Sequence, residues 1–217
     1  MKGIAVVLVG LSGFASHARA DAPPTDRITI DIVTLNGTGC PTGTAFVSMS
    51  PDNSAFHIGY SSYVAQIGVG ARPTDFRKNC QVNLLVHAPP GFSYAIASVN
   101  YIGFASLAAG ATALYQANYF FQGQPAPAFD EHSLSGPFND DFAFSVARDE
   151  AALVFSPCNA SRALSVTSVV RMSAGTSDPT TSSVVAIDNE GPPTSFHLVW
   201  RQCTDTAPGA AGSPPRS

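Results

Sequence analysis

Apolar and polar side chains alternate most regularly between Phe76 and His87. One face of this segment carries Cys80, Val82, Leu84 and Val86, and the other carries Gln81, Asn83 and His87, with Leu85 as the exception. A period of two over this length is typical of a half-buried β-strand. We therefore expect Cys80 to point into the core, where a disulfide bond would be sheltered.

Shorter segments with similar patterns, separated by turn residues, run along the rest of the chain. They predict strands at residues 27–35, 44–50, 55–63, 92–107, 115–122, 141–147, 151–155, 164–173, 182–188 and 195–203. Residues 105–114 are rich in alanine and leucine, which favour a helix, but Gly110 and the flanking strands favour a hairpin. Turn signals recur about every ten residues and no long amphipathic helix is present. This pattern is typical of an all-β fold, an antiparallel β-sandwich of jelly-roll-like type.

The chain has three parts by composition. Residues 1–20 have a positive charge at Lys2, a short apolar run and small residues before Asp21, which is typical of a signal peptide cleaved at that point. The alternative, a membrane anchor, is disfavoured because the run is shorter than the ~17 residues that a span needs. We expect residues 21–203 to form a single domain and residues 204–217, which are small, prolyl and polar, to be a disordered tail.

The four cysteines are widely spaced along the chain. Together with a signal peptide, an even number of cysteines predicts two disulfides formed in an oxidising compartment. Zinc would need closely spaced pairs, which are absent. Three pairings are possible, and we favour Cys40–Cys80 with Cys158–Cys203, one bridge in each half of the chain. From loop-closure entropy each bridge is worth about 4 kcal/mol.

Charge and the absence of motifs narrow the function classes. Without Lys2 and Arg19, nine basic residues remain against 15 acidic ones, and the charges are scattered. No basic stripe is present, so we expect no nucleic-acid partner. No later stretch is long and apolar enough to be a transmembrane helix, so we expect no membrane association after signal cleavage. The mature chain lacks the G-x-S-x-G, H-E-x-x-H, P-loop and Rossmann motifs, and we expect no cofactor.

Asp130-Glu131-His132 is the densest cluster of ionisable groups. Such a cluster could serve acid–base catalysis or hold a metal. Neighbouring residues on a strand point to opposite faces, however, which argues against a shared site. We favour a solvated loop here, following Pro125-Ala126-Pro127.

Two further stretches have oxygen-rich side chains. Asn139-Asp140-Asp141 and Asp188-Asn189-Glu190-Gly191 are calcium candidates, through Asp140, Asp141, Asp188 and Glu190. Ordinary turn chemistry is the favoured explanation for both, and neither has EF-hand spacing, so we expect no metal. Arg77-Lys78 could bind an anion, but a charge pair with Asp75 is favoured.

Histidines and aromatic residues give weaker signals. His57, His87 and His197 lie in predicted strands, where we expect surface or hydrogen-bonded side chains rather than convergence on a metal. The large aromatic residues are expected in the core, namely the phenylalanines together with Tyr60, Tyr63, Tyr94, Tyr101, Tyr115, Tyr119 and Trp200. Several of them on one exposed face would instead indicate a sugar- or surface-binding site. Asn36-Gly37-Thr38 and Asn159-Ala160-Ser161 are candidate glycosylation sites at Asn36 and Asn159 in a eukaryotic host.

Five pieces of the chain together resemble a known family. They are Gly37-Thr38-Gly39-Cys40-Pro41, Arg77-Lys78-Asn79-Cys80-Gln81, the segment from Tyr101 to Gly110, Ser156-Pro157-Cys158 and Trp200-Arg201-Gln202-Cys203. In this order they resemble the secreted domain-of-unknown-function 4360 family, found in fungi and bacteria. The resemblance implies a secreted, disulfide-bonded β domain and carries over no catalytic residue.

The function predicted from these observations is that of a secreted, non-catalytic binding or cell-surface-associated protein. Its partner would be a cell-wall or extracellular polysaccharide or protein. The alternative is an extracellular hydrolase or lyase that uses dispersed carboxylates, for which Asp130 and Glu131 are the first residues to test.

Overall fold

The computed structural model describes residues 21–124, 128–188 and 192–204. The predicted signal peptide and the tail beyond residue 204 lie outside these residues. The twelve strands in the described part are β1 (Ile30–Asn36), β2 (Ala45–Met49), β3 (Ala55–Tyr60), β4 (Val64–Gly68), β5 (Arg77–Val86), β6 (Phe92–Leu107), β7 (Thr112–Phe121), β8 (Ala128–Ser135), β9 (Phe138–Ala147), β10 (Leu164–Ser173), β11 (Ser182–Ile187) and β12 (Thr194–Gln202). A short 3-10 helix covers Glu150–Ala152.

The strands form two antiparallel sheets. The five-stranded sheet has the order β1-β5-β10-β7-β8. In the seven-stranded sheet, β2-β3-β12 and β4-β11 both join the long strand β6, and β9 also pairs with β6. β9 pairs with residues 98–107 of β6, a range that overlaps the residues of β6 paired with β12 and with β11. β9 therefore lies along one edge of β6, and β11 and β12 lie along the other edge. The predicted antiparallel sandwich is confirmed.

The core lies between the two sheets and has the alternation that the sequence predicts. On β5, Cys80, Val82 and Leu84 are buried, and their neighbours face outward. Trp200 is fully buried, and its Nε1 donates a 2.8 Å hydrogen bond to the Asn53 carbonyl. The six tyrosines are also buried, as the sequence predicts. The same expectation is wrong for four phenylalanines, Phe46, Phe76, Phe104 and Phe129, which are exposed. An aromatic platform built from Trp200 and the tyrosines is therefore excluded.

The hairpin between β6 and β7 confirms the prediction for this segment. Gly110 has φ +87°, and Ala111 N–H donates to the Ala108 carbonyl to close the turn. A glycine is favoured at such a φ because it has no Cβ. The alternative helix over 105–114 is wrong.

Three predicted elements differ from the structure. Residues 64–68 form a strand, β4, between the strand predicted to end at residue 63 and the loop predicted to begin at residue 68, where no strand was predicted. Residues 128–135, predicted as loop, form β8. Residues 151–155, predicted as strand, hold part of the 3-10 helix and an irregular segment that packs Val154 against the core. An apolar segment can therefore pack against the core without pairing as a β-strand.

Both predicted disulfides are present. Cys40 and Cys80 have their Cα atoms 5.4 Å apart, and Cys158 and Cys203 have theirs 5.8 Å apart. Both distances lie in the range that a disulfide requires. No described cysteine is free.

Candidate functional site

The carboxylates of Asp130 and Glu131 do not share a site. Asp130 is 1% exposed and points between the sheets, whereas Glu131 is exposed on the outside of β8. His132 points inward again, and its ring stacks on Phe144 with 4.2 Å between centroids. Strand geometry explains this alternation. The loop expected at this cluster is wrong, but the expectation that adjacent residues face apart holds.

Asp130 is held in a buried polar cluster. The Tyr101 hydroxyl donates to its Oδ2 at 2.6 Å, and Arg148 Nη2 forms an ion pair with its Oδ1. Arg148 Nε also donates to the Tyr119 hydroxyl at 2.9 Å. Both carboxylate oxygens therefore have partners within the protein. These contacts identify Asp130 as a group that joins the two sheets.

The calcium candidates are dispersed in the described part of the chain. Asp140 and Asp141 lie in β9 and are exposed, and Asp188 lies buried at the end of β11. Glu190 lies outside the described residues. No group of three or more metal-ligating side chains occurs among the described residues. The expectation that these positions bind no calcium stays a prediction.

Arg77 and Lys78 have different surroundings. Lys78 Nζ lies 2.8 Å from Asp75 Oδ1, and Arg72 also binds Asp75. These cations hold the pKa of the Asp75 carboxyl well below its usual range. Arg77, by contrast, is exposed on the outer face of β5. The favoured charge pair is thus made by Lys78.

Two of the three strand histidines come together. His57 and His197 lie on the outer face of the seven-stranded sheet, on neighbouring strands β3 and β12. His87 is on the other sheet, where its Nε2 lies 2.8 Å from Asp31 Oδ2. All three are therefore hydrogen-bonded surface or half-buried residues, as predicted.

The two sequons lie in different surroundings. Asn36 is exposed at the end of β1 and pairs with Gln81 in the sheet. Asn159 is exposed beside the second disulfide, and its Oδ1 accepts a hydrogen bond from Gly91 N–H at 3.3 Å. Exposure at both positions is compatible with an attached glycan, which stays a prediction.

The outer face of the five-stranded sheet carries many uncharged polar side chains, together with apolar ones such as Val169. Its amide and hydroxyl side chains are Thr34 and Asn36 on β1, Asn79, Gln81 and Asn83 on β5, Ser165 and Thr167 on β10, and Gln116 and Asn118 on β7. We call these nine residues the amide face. They lie on the outer side of the sheet because their neighbours along each strand, such as Val82 and Val166, are buried in the core, although Ser165 is itself only 2% exposed.

Strand register aligns these residues in rows across the sheet. Asn36 pairs with Gln81, Gln81 pairs with Thr167, and Thr167 pairs with Asn118. A second row joins Thr34, Asn83 and Ser165 in the same way. Strands lie about 4.8 Å apart, so the longer row extends about 14 Å. The rows provide donors and acceptors over a distance that suits an extended polymer.

Some side chains of the amide face are fixed by their neighbours. Asn83 accepts a hydrogen bond from Ser165 Oγ at 2.6 Å and donates to Thr34 Oγ1 at 2.5 Å. Gln116 Nε2 donates to Glu131 Oε2 at 2.7 Å. The side-chain amides of Gln81 and Asn118 make no hydrogen bond to any described residue, which leaves them available for a ligand.

Aromatic and charged residues border the amide face. Phe120 pairs with Ser165, and Phe129 pairs with Asn118 and is 55% exposed. Arg77 and Arg171 are paired at one end of the sheet. The opposite end carries the contact between Asp31 and His87. All nine residues between these ends are uncharged, and Glu131 on β8 adds a carboxylate at the margin beside Gln116. The centre of the face is therefore neutral.

The sequence gives only a partial signal for this surface. The polar positions of β5, among them Gln81 and Asn83, are visible in the alternation that predicts the strand. Their partners are on β7 and β10, between 30 and 90 positions further along, so register is needed to align them. Sequence analysis missed the amide face for this reason.

Comparisons with known proteins give one family and one close relative. A family model described as "Domain of unknown function (DUF4360)" matches residues 26–203. A protein of Arthroderma benhamiae named "Uncharacterized secreted protein" is 34% identical over 189 residues, which cover 85% of this chain and 76% of that protein. The described residues contain no helix that is long and apolar enough to cross a membrane.

Similarity to solved structures is weak. The enzymatically active domain of bacteriophage CBA120 tailspike protein 4 matches with a TM-score of 0.24 and 13% identity, over 78% of this chain and 19% of that chain. The structure of infectious bursal disease virus Gx strain matches with a TM-score of 0.26 and 10% identity, over 94% of this chain and 42% of that chain. This chain spans less than half of either structure, and likenesses at this level support no conclusion.

Proposed function

This chain belongs to the DUF4360 family, and on that premise we propose that it is a secreted, non-catalytic protein that binds extracellular polysaccharide through the amide face. Secretion is supported by the related secreted protein and by the two disulfides, which are typical of oxidising compartments. The observation that carries the proposal is the row of neutral amide and hydroxyl groups across four strands.

The chemistry of the face matches that of a neutral sugar polymer. Sugar hydroxyls both donate and accept hydrogen bonds, as do the carboxamides of Gln81 and Asn118. Phe129 offers an exposed ring on which the apolar side of a sugar can stack. An open sheet face accommodates the middle of a chain as readily as its end. We therefore expect binding along the polymer as well as at its terminus.

The alternative of a hydrolase with Asp130 and Glu131 as paired acid and base has little support. Both oxygens of Asp130 are bound by Tyr101 and Arg148, and Glu131 lies on the outer surface. A general acid and base must both reach the bond that is cleaved. Two carboxylates on opposite faces of one strand cannot do so.

The experiment that tests the proposal is retention of the oxidised, mature protein on insoluble cellulose, chitin and β-glucan, with affinity electrophoresis in soluble glucans. Q81A/N118A removes two amides without a hydrogen bond to the described residues, and F129A removes the exposed ring. Each lost hydrogen bond costs about 0.5–1.5 kcal/mol, so we expect about 5- to 150-fold weaker binding of the double variant. The matched control is S48A/S145A, which alters two exposed residues of the other sheet and should bind normally.

The outcomes separate the possible ligands. Binding to a neutral polymer should persist in about 1 M salt, where the screening length is about 3 Å. Loss of binding in salt would indicate an anionic ligand held by Arg77 and Arg171 instead. Normal binding by Q81A/N118A would exclude the amide face, and no retention on any polysaccharide would exclude the carbohydrate ligand.

A further inference from the structure

The outer face of the seven-stranded sheet carries a second group of functional side chains, away from the amide face. His57 on β3 pairs with Ser195 on β12, and Ser195 pairs with Asn100 on β6. His197 follows two positions after Ser195 and therefore lies on the same face of β12. His57 and His197 are diagonal neighbours on adjacent strands, a separation that long side chains can bridge.

Hydrogen bonds determine which nitrogen of His57 is free. Ser195 Oγ donates to the Pro193 carbonyl at 3.1 Å, so its oxygen is left to accept. His57 Nδ1 lies 2.9 Å from this oxygen and therefore carries the donated proton. Nε2 then has the lone pair. Histidines that bind metals commonly donate their other ring N–H in this way.

His197 has a similar partner. Its Nε2 lies 2.9 Å from the Nδ2 atom of Asn100. Rotating the Asn100 carboxamide by 180° exchanges Nδ2 and Oδ1 with almost no change in shape. Oδ1 then faces the His197 ring. Nε2–H then donates to Oδ1, and Nδ1 has the lone pair. Asn100 can thus fix the tautomer of His197 as Ser195 fixes that of His57.

The exposure of the two rings suits a bound ion. Metals coordinate the neutral form of imidazole. Both rings are half-buried, which limits their motion and leaves one side open to solvent.

From this arrangement we propose that His57 and His197 form a binding site for a divalent transition-metal ion, with Cu²⁺ as the preferred ion. Imidazole nitrogens suit Cu²⁺, Ni²⁺ and Zn²⁺, and Cu²⁺ binds most tightly in this series. His57 Nε2 and His197 Nδ1 are the protein ligands, and water completes the coordination. The described residues provide no third histidine, cysteine or carboxylate to this group, so coordination positions stay open.

Titration of the metal-free mature protein with Cu²⁺, followed by calorimetry and electron paramagnetic resonance, tests this site. We expect saturable binding of one ion with nitrogen hyperfine coupling from two imidazoles. H57Q and H197Q keep the approximate size of each side chain and should abolish this signal. The control is H87Q, which removes a strand histidine of the other sheet and should leave binding unchanged.

A further variant distinguishes a positioned site from two adventitious rings. S195A keeps both ligands but removes the oxygen that fixes the His57 tautomer, so we expect about 10- to 100-fold weaker Cu²⁺ binding. Circular dichroism establishes that each variant is folded. Equal Cu²⁺ affinity in H57Q or H197Q, no saturable binding by the wild type, or S195A binding as tightly as the wild type would overturn the proposal.

Discussion

Asp188 is a buried carboxyl group with one oxygen that has no partner among the described residues. It is 6% exposed, Thr194 Oγ1 donates to its Oδ2 at 2.7 Å, and Oδ1 has no hydrogen bond among the described residues. Burial raises its pKa to about 7, although the hydrogen bond from Thr194 opposes this shift. A charged carboxylate without full hydrogen bonding is costly in such a place.

Stability should therefore fall as pH rises through the pKa of Asp188. The folded-state pKa is higher than the unfolded-state value of 3.8, so the folded protein binds the additional proton between these two pH values. This contribution is fully present below the unfolded-state pKa and is lost as the pH passes about 7, at no more than about 1.4 kcal/mol per pH unit. Denaturant unfolding between about pH 4 and pH 8 measures it.

The matched variant for this test is D188N. Asparagine tolerates the left-handed conformation at this position, where φ is +53°. It cannot ionise, so the decline in unfolding free energy as the pH rises to about 7 should be smaller than in the wild type by the Asp188 contribution. The lowered pKa of His57 makes stability rise with pH in both proteins. Subtracting one pH profile from the other therefore cancels the His57 contribution. Identical pH profiles would refute a raised pKa at Asp188.

At the scale of elements, Arg148 joins the two sheets at the edge formed by β8 and β9. It follows β9, and its guanidinium contacts Asp130 on β8 and Tyr119 on β7. R148M keeps much of the apolar side chain but leaves the buried carboxylate without its cation. We expect a loss of about 3–5 kcal/mol of unfolding free energy, measured in urea.

The double variant D130N/R148M distinguishes charge from packing. The carboxamide introduced by D130N can still accept from the Tyr101 hydroxyl, and no uncompensated charge is left, so much of the stability should return. A loss below about 1 kcal/mol in R148M alone would mean that the ion pair contributes little. Failure of the double variant to recover would attribute the loss to packing of the arginine stem.

The strands that sequence predicts best are those with apolar inward residues. The bounds of β6 and β10 agree with the prediction, as does the pattern of β5. β8 was missed because its inward positions include Asp130 and His132, which look like surface residues until Arg148 and Phe144 are brought to them. Periodicity detects apolar burial, and it does not detect polar groups that are buried with a partner.

The candidate sites were less predictable than the fold for a related reason. His57 and His197 are 140 positions apart, and the amide face uses four strands. A sequence pattern gives the face on which each side chain lies, but the register between strands decides which residues are neighbours. The cysteines were the exception, since their number and compartment leave few pairings.

At the scale of the whole molecule, the two disulfides brace opposite ends of the sandwich. Cys80 lies near the start of β5, and the residues next to Cys158 line a cleft with Val86 at the end of the same strand. Six steps along a strand cover about 20 Å. The bridges therefore restrict different parts of the chain, closing loops with sequence separations of 40 and 45 residues.

Because the bridges are distant and share no partner, their contributions to stability should add. We expect C40S/C80S and C158S/C203S each to lose about 2–5 kcal/mol, mainly through greater freedom of the unfolded chain. The variant without either bridge should lose the sum within about 0.5 kcal/mol. Urea unfolding of all four proteins measures these losses, and a single transition in each would indicate one cooperative domain. A combined loss well below the sum would mean that one bridge constrains the chain only while the other is intact.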